Sequence, residues 1–232
     1  MSPPASPTYR SDIPAEAEET VTAHHPNGAR RETALHLDGA LVGRRYYDEE
    51  GWLEGELPLR DGLAHGWQYR WHDGAALMHA EPWVQGQIHG TASQWDADGR
   101  LLGTYTLDHG TGLDLWWQRD DGGAVVLAEV HPLRQGRLHG RQWWFREDGT
   151  IWLEVPFREG KQHGVERSWN RQGRLKRGYP RYWRDGARIT RRAYLRAAAR
   201  DPEVPPFVAE ENHPERRFPP EVQAALRPSP TA

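Results

Sequence analysis

Histidine recurs in this chain at spacings that could support metal chemistry. The motif Gly-x-x-His-Gly occurs four times, and its histidines are 24, 50 and 24 residues apart. Because imidazole is the commonest protein ligand of transition metals, a linear metal array is the first hypothesis to weigh. The motif positions are Gly62, His65, Gly66, Gly86, His89, Gly90, Gly136, His139, Gly140, Gly160, His163 and Gly164.

The spacing of the repeat argues against one shared metal ion. If each repeat adds two strands about 4.8 Å apart, successive motif histidines lie about 10 Å from one another. Ligands of a zinc ion lie about 2.1 Å from it, so neighbouring motif histidines cannot share one ion. We therefore expect no metal site and no cofactor. Each ring should instead pack in its glycine corner and hydrogen-bond a backbone group of a turn.

Glutamates also recur, at Glu54, Glu56, Glu81, Glu129 and Glu154. Paired carboxylates are the machinery of glycoside hydrolysis. A solvated strand face explains the same periodicity, and we take that interpretation. Nucleophile-elbow, Walker-type and dinucleotide-binding signatures are absent from the sequence. The sequence thus predicts a protein that is not an enzyme, with no catalytic residues and no small-molecule substrate.

The elements that carry these residues are predicted to be β-hairpins. After each motif, aromatic residues alternate with polar ones, as in Trp67, Tyr69 and Trp71, which is typical of a half-buried strand. An Asp-Gly pair follows and predicts a type I′ turn. A second strand then contains a proline, which predicts a bulge or a break in pairing. These prolines are Pro58, Pro82, Pro132, Pro156 and Pro180.

The aromatic residues of the hairpins divide into two predicted classes. Those in register with the repeat are expected to form the core, although stacking of sugars or bases is the alternative. Those out of phase, Tyr47, Trp116 and Trp144, are candidates for a partner-binding surface. The in-register set is Trp71, Trp95, Trp117, Phe145 and Trp169.

The repeat closely resembles the MORN-variant repeat of bacteria, in proteins often labelled antitoxin-like. The resemblance covers about residues 35–186 and rests on G-x-x-H-G, an aromatic strand and D-G-x-L in a constant register. It implies an all-β protein: an elongated open antiparallel sheet of stacked hairpins. It also implies protein interaction, with lipid association as an analogy. The pattern fails in the copies at Val42, Gly112 and Ile189-Thr190, and the family carries over no catalytic residues.

We divide the chain into residues 1–32 (a disordered arm), 33–186 (six hairpin copies) and 187–232 (a basic helix and a Pro-rich tail). Thr190–Arg200 should form a helix that caps the array, and Pro220–Leu226 a shorter one. Residues 171–200 hold eleven Lys or Arg and one acid, although the net charge of the chain is −3. Such a block binds an acidic partner or the chain's own acids. The candidate contact residues are Arg188, Arg191, Arg192 and Arg196.

Several function classes follow, with different weights. The leading hypothesis is a non-catalytic scaffold that binds a protein, in its narrowest form an antitoxin-like or immunity-like protein that sequesters its partner. A module for lipid headgroups or glycans and an accessory subunit of an enzyme, with polar groups near Asp108–Asp114, are the alternatives. Nucleic acid is disfavoured because no base-reading motif accompanies the arginines. The absence of Cys and of an apolar leader, with a composition rich in Arg, Ala and Gly, predicts a bacterial cytoplasmic protein.

Overall fold

The computed structural model describes residues 9–73 and 76–227, so Gly74 of one predicted Asp-Gly turn lies outside them. Strands make up 53% and helices 8% of the chain, which confirms the all-β prediction. The chain divides into two compact units, Met1–Gly110 and Thr111–Ala232, here unit 1 and unit 2. Each contains an antiparallel sheet of stacked hairpins. Within the described ranges no helix has the length and apolar character needed to cross a membrane.

Unit 1 is built entirely of antiparallel hairpins. Each long strand pairs with its neighbours in sequence, for example Glu56 with Tyr69 and Tyr69 with Ala80. Short two-residue strands follow two of the turns and precede a longer strand. The strands are β1 (Glu18–His24), β2 (Arg30–Leu37), β3 (Ala40–Tyr47), β4 (Leu53–Arg60), β5 (Leu63–Ala64), β6 (Gly66–Trp71), β7 (Leu77–Val84), β8 (Gln87–Ile88), β9 (Gly90–Trp95) and β10 (Leu101–Asp108).

Unit 2 continues the hairpin pattern and ends in helices. The predicted second strand of the sixth copy, Leu175–Tyr182, does not form, since that stretch holds only a Trp169–Leu175 bridge and the start of β18. The elements are β11 (Thr111–Arg119), β12 (Val125–Arg134), β13 (Arg137–Leu138), β14 (Gly140–Phe145), β15 (Ile151–Arg158), β16 (Lys161–Gln162), β17 (Gly164–Ser168), β18 (Arg181–Arg184), β19 (Ala187–Ile189), α1 (Arg191–Ala198), a 3-10 turn (Glu210–Asn212) and α2 (Pro220–Ala225).

Two kinds of turn alternate along each unit. In the first, a residue in the left-handed region precedes a glycine, as in Asp61 (φ 52°) and Gly62 (φ 77°). Two positive φ angles are what a type I′ turn requires, and this glycine is the first of the Gly-x-x-His-Gly motif. In the Asp98-Gly99 turn only the glycine has positive φ (75°), and its amide donates to the Asp96 carbonyl at 2.9 Å. The prediction of a type I′ turn after the aromatic strand, at Asp98-Gly99, is therefore wrong. The type I′ geometry occurs instead in the turn that begins each motif, such as Asp61-Gly62.

The second glycine of each motif packs against one of the recurring prolines. Gly90 has φ 122°, and a Cβ there would lie 3.0 Å from Cγ of Pro82. Pro82 stays paired with Trp67 of the preceding strand, whereas the following strand is interrupted at His89, whose amide donates to the Pro82 carbonyl at 3.0 Å. The missing proline N–H thus faces a gap in pairing, as predicted. The bulges lie elsewhere, and Pro180 is outside any strand.

The histidine of each motif ties its corner to the next type I′ turn. For three of the four, Nδ1 accepts a hydrogen bond from the backbone amide of the left-handed residue in that turn, which confirms the predicted bond to a turn backbone group. The pairs are His65 with Gln85 (3.5 Å), His89 with His109 (3.3 Å) and His163 with Asp185 (3.2 Å). In the fourth corner, Nδ1 of His139 lies 3.1 Å from a carboxylate oxygen of Glu159.

The predicted disorder of residues 1–32 is wrong for residues 9–32, and residues 1–8 lie outside the described ranges. These residues contain β1, which pairs with β2 and adds a hairpin before the predicted array. Ile13 is 5% exposed. A Cβ at Gly43 would clash with Cδ1 of Ile13, so the glycine makes room for this side chain. Within this Pro-rich segment, Ile13 is an apolar residue that fills the space beside Gly43.

The predicted Pro-rich tail also packs against the sheet. Val204 is 1% exposed, and the ring of Phe218 meets that of Trp143 edge-on at 5.3 Å. The predicted helix at Thr190–Arg200 is confirmed as α1, and the helix at Pro220–Leu226 as α2. The prolines interrupt regular structure without preventing these contacts with the sheet.

Candidate protein-binding surface

One face of the unit 2 sheet is occupied by the chain's own C-terminal segment. Cross-strand pairing places five residues in a row on this face, which we call the covered face: Leu115, Val130, Trp143, Glu154 and Arg167. Residues 205–218, the C-terminal strap, lie over it. The indole of Trp169 donates to the Asn212 carbonyl at 2.6 Å, and Arg167 donates to the Val208 carbonyl at 3.2 Å. A partner therefore meets this face only by displacing the strap.

A buried charge cluster fastens the C-terminal strap. Glu154 is 1% exposed and accepts hydrogen bonds from Arg216 at 2.7 and 3.1 Å, from Trp143 at 2.9 Å and from Arg167 at 3.4 Å. Glu211 of the strap neutralises Arg167 at 3.1 Å. Burial alone would raise the pKa of Glu154, but the hydrogen bonds and charge of Arg216 outweigh it and hold the pKa below 4.5.

Unit 1 uses the same repeat positions for an N-terminal strap, residues 9–14. Glu56 occupies the repeat position of Glu154, is fully buried, and accepts hydrogen bonds from the Tyr9 hydroxyl and from Arg45, both at 2.9 Å. The Tyr9 ring meets that of Tyr69 edge-on at 5.1 Å. Burial and the negative charge of Glu56 raise the pKa of Tyr9 to about 12. The strap therefore brings a neutral phenol to a buried carboxylate.

These contacts correct the prediction for the recurring glutamates. Glu56, Glu81 and Glu154 are buried, whereas Glu54 is exposed and Glu129 is half-buried. Glu81 accepts from the Tyr105 hydroxyl at 2.7 Å and from the Trp83 indole at 3.1 Å. The glutamate series is thus not one solvated face. Its buried members accept hydrogen bonds from aromatic or arginine donors, and none of these contacts brings two of the recurring carboxylates together.

The prediction that Tyr47 lies on the binding surface, with Trp116 and Trp144, is wrong because Tyr47 is buried. Its side chain is 5% exposed, its hydroxyl donates to Glu19 at 2.6 Å, and the Arg30 guanidinium lies 3.9 Å above the ring. A register shift between Tyr46 and Tyr47 turns this ring toward the core. Of the in-register aromatics, Trp95, Phe145 and Trp169 are buried as predicted, while Trp71 and Trp117 are half-buried.

Trp116 and Trp144 lie on the other side of the unit 2 sheet from the covered face. They belong to a cross-strand row, here the open face, of Trp116, Glu129, Trp144 and Leu153. Both indoles are half-buried. The Trp144 ring lies 6.5 Å from that of Trp152, over which Lys176 places its ammonium at 5.2 Å. This face offers indole surface beside a cation.

The arginine candidates surround helix α1, whose inner side is fixed by packing. Thr190 caps the helix by accepting a hydrogen bond from the Ala193 amide at 3.2 Å. Tyr194 is fully buried among Val165, Tyr182 and Val204, and its hydroxyl donates to a strap carbonyl at 2.6 Å. The helix therefore presents its remaining side chains outward from a rigid base.

The outward side of α1 and the end of β19 form what we call the basic patch: Arg188, Arg191, Arg192, Arg196 and the apolar Leu195. All four arginines are exposed, and Leu195 is 37% exposed. Arg191 also lies 5.4 Å from the centre of the Phe207 ring. Within the part of the chain that the structure describes, no carboxylate forms an ion pair with these four arginines.

Other arginines of the basic block are neutralised inside unit 2. Arg181 lies 3.5 Å from Glu166, and Arg184 lies 2.9 Å from Asp201. The block thus contains arginines that bind the chain's own acids, the arginines of the basic patch, and other exposed arginines such as Arg174 and Arg177. The sequence showed the excess charge, but the partition depends on which residues β18 and the strap bring together.

Comparison with known proteins adds no identity to this geometry. No model of a known protein family matches the chain, and no curated protein does. The functional argument therefore depends on the surfaces described above.

Proposed function

We propose that this chain is a non-catalytic, protein-binding repeat scaffold whose basic patch receives an acidic surface of a partner protein. The observation that carries the proposal is the outward set of Arg188, Arg192 and Arg196 around Leu195, without a carboxylate partner in the described chain. Arginine is enriched at protein interfaces because its planar guanidinium can donate two hydrogen bonds to one carboxylate. An apolar residue among such groups supplies a contact that excludes water.

The repeat architecture supports the same reading. The resemblance to MORN-variant repeats suggests a surface for protein interaction, and the antitoxin-like or immunity-like role is its narrowest form. In that form the bound protein is sequestered. The search for the partner starts in a bacterial cytoplasm, the setting that the sequence composition suggests.

A protein partner fits the patch better than nucleic acid does. The arginines lie on one helix of eight residues and the adjoining strand, and Leu195 lies among them. A nucleic-acid surface would instead combine a longer basic track with aromatic rings for stacking. The single apolar side chain and the short basic strip suit an acidic helix or loop.

The test is a pull-down from the host lysate with matched charge reversals. Arg192→Glu/Arg196→Glu changes the basic patch, and Arg174→Glu/Arg177→Glu makes the same charge change at exposed positions elsewhere in the basic block. We expect one stoichiometric protein with the wild type and with the control, and loss of it with the first variant. Binding should weaken as salt rises, because exposed charges are screened. Equal recovery by both variants would refute the patch as the binding surface.

A ligand-binding module for lipid headgroups or glycans is the second candidate, and the open face is what favours it. Trp144 and Trp152 lie beside Lys176, which is the combination that binds a ring or an anionic headgroup. Saturable quenching of tryptophan fluorescence by such ligands, reduced by Trp144→Ala but not by Arg192→Glu/Arg196→Glu, would favour this function. No quenching up to millimolar ligand would leave the protein-binding proposal alone.

A further inference from the structure

One of the histidine corners in unit 1 differs from the others in its chemistry. At the end of β10, the carboxylate Oδ1 of Asp108 lies 2.8 Å from Nδ1 of His109 and 3.2 Å from Nδ1 of His89. The two imidazole rings have centroids 4.0 Å apart. One carboxylate and two imidazoles therefore share one corner.

The equivalent corners hold an arginine in place of this arrangement. In the His163 corner, Arg158 lies 2.7 Å from Asp185, the left-handed residue of the next turn. In the His139 corner, Arg134 pairs in the same way with Glu159. At His89 the arginine position is Val84 and the left-handed position is His109, preceded by Asp108. This corner alone thus combines three metal-binding side chains without a guanidinium among them.

We propose that His89, Asp108 and His109 form a surface site for a transition-metal dication, with Zn²⁺ as the expected ion. One ligand atom from each residue lies within 4.8 Å of the others, and among the described residues no second group of this kind occurs. In a tetrahedral zinc site, ligand atoms about 2.1 Å from the metal lie about 3.4 Å apart. The 2.8 and 3.2 Å separations around the Asp108 oxygen are close to that value.

The ligand set also selects the class of ion. Two nitrogen donors and one carboxylate suit zinc, nickel, cobalt or copper, whereas calcium and magnesium need more oxygen ligands. All three side chains are well exposed, with 42% of the His89 side chain and 59% of the His109 side chain accessible to solvent. Water can therefore complete the coordination. Metal binding at His89 Nδ1 would replace the 3.3 Å hydrogen bond from the His109 amide.

Sequence reasoning missed this site because it compared the motif histidines with one another. His109 is not part of any Gly-x-x-His-Gly motif, and it meets His89 through the pairing of two turns. The 10 Å separation that excludes a shared ion between successive motif histidines does not apply to this pair. The expectation of no metal site thus came from considering one histidine per repeat.

The experiment is a metal titration of the full chain without an affinity tag. Isothermal calorimetry with Zn²⁺ and the visible absorption of bound Co²⁺ measure stoichiometry and coordination. The test variant is Asp108→Val/His109→Gln, which installs the residues of the preceding turn, Val84 and Gln85. His24→Gln, at an exposed histidine in β1, controls for the loss of one surface imidazole. Circular dichroism of both variants checks that they keep the fold.

We expect about one Zn²⁺ per wild-type chain. The dissociation constant should be at least tenfold larger in the test variant than in the wild type, and within about twofold of the wild type in the control. Mutating a residue that hydrogen-bonds a metal ligand typically lowers metal affinity 10–100-fold, and removing the ligands themselves should lower it at least as much. Wild-type affinity in the test variant, or no saturable binding by the wild type, would overturn the proposal.

Discussion

Replacing Glu154 with glutamine tests the buried charge cluster under the C-terminal strap. Glutamine keeps the shape of the side chain and removes the charge that faces Arg167 and Arg216, which are 2% and 6% exposed in their side chains. Removing one partner of a buried ion pair costs about 3–5 kcal/mol. Because Glu211 remains 3.1 Å from Arg167, we expect the lower end, about 3 kcal/mol.

The measurement is urea unfolding followed by tryptophan fluorescence. With a slope of about 2 kcal/mol per M, the expected loss lowers the urea midpoint by about 1.5 M. Hydrogen exchange at residues 205–218 supplies a local readout, since the strap should exchange faster in the variant. Glu129→Gln is the matched control in the same unit, because Glu129 is 38% exposed and pairs only at the surface with His131. That change should cost less than about 1 kcal/mol.

The pH dependence of the same pair of proteins gives an independent readout. The pKa of Glu154 in the fold is below its ordinary 4.5, so its contribution to stability is complete above pH 4.5 and is lost as the pH falls through the folded-state value. The wild type should thus lose more stability than Glu154→Gln between pH 7 and pH 3. Equal midpoints for Glu154→Gln and Glu129→Gln at pH 7, with unchanged exchange in the strap, would refute the reasoning.

Three further predictions concern the repeat itself. Gly90→Ala should cost about 2 kcal/mol or more in thermal unfolding, since φ is 122° and a Cβ would lie 3.0 Å from a proline Cγ; Gly136→Ala, with open space around it, should cost less. Burial, with the charge of a nearby arginine, lowers the pKa of His79 to about 4. Protonation therefore favours the unfolded chain, and stability should fall by about 3 kcal/mol from pH 7 to pH 4 and less in His79→Gln. Tyr47→Phe removes the hydrogen bond to Glu19 and should cost about 1–2 kcal/mol in urea unfolding.

The period of the sequence was sufficient to predict the hairpins, because each repeat contains its own strands and turns. Trp67, Tyr69 and Trp71 lie on β6 as expected, and β6 pairs with β7 across the predicted turn. The turn geometry was assigned to the wrong glycine, since both turns of a repeat contain one. The left-handed residue before the first glycine, such as Asp61, was the available signal.

Tyr47 shows where alternation fails as a guide. Register shifts precede the last aromatic of several strands, including those between Arg70 and Trp71 and between Trp144 and Phe145. Each shift reverses the side that the following residue faces. Tyr47 lies two 24-residue periods before Trp95 and shares the repeat position of that buried ring. The repeat period therefore indicates its burial correctly, whereas counting alternate residues does not.

The terminal straps were beyond local pattern reasoning because their partners lie far away in sequence. Arg216 bonds to a glutamate 62 residues earlier, and Tyr9 to one 47 residues later. Neither segment has a periodic apolar pattern. A polar residue in such a segment gives no sign of its partner. Gly43 is the exception, since its missing side chain is a local trace of the Ile13 contact.

The straps determine which surfaces of the repeats a partner can reach. In each unit the chain's own terminal segment lies on the face that carries the buried glutamate, Glu56 in one case and Glu154 in the other. Displacing the C-terminal strap would remove Arg216 from Glu154, which costs about 3–5 kcal/mol as a broken buried pair. Displacing the N-terminal strap would remove the Tyr9 hydrogen bond from the buried Glu56. A partner that binds the opposite face or the basic patch avoids this cost. Selective faster exchange of residues 205–218 on partner binding would therefore identify a partner that displaces the C-terminal strap, whereas protection confined to α1 would identify one that binds the patch.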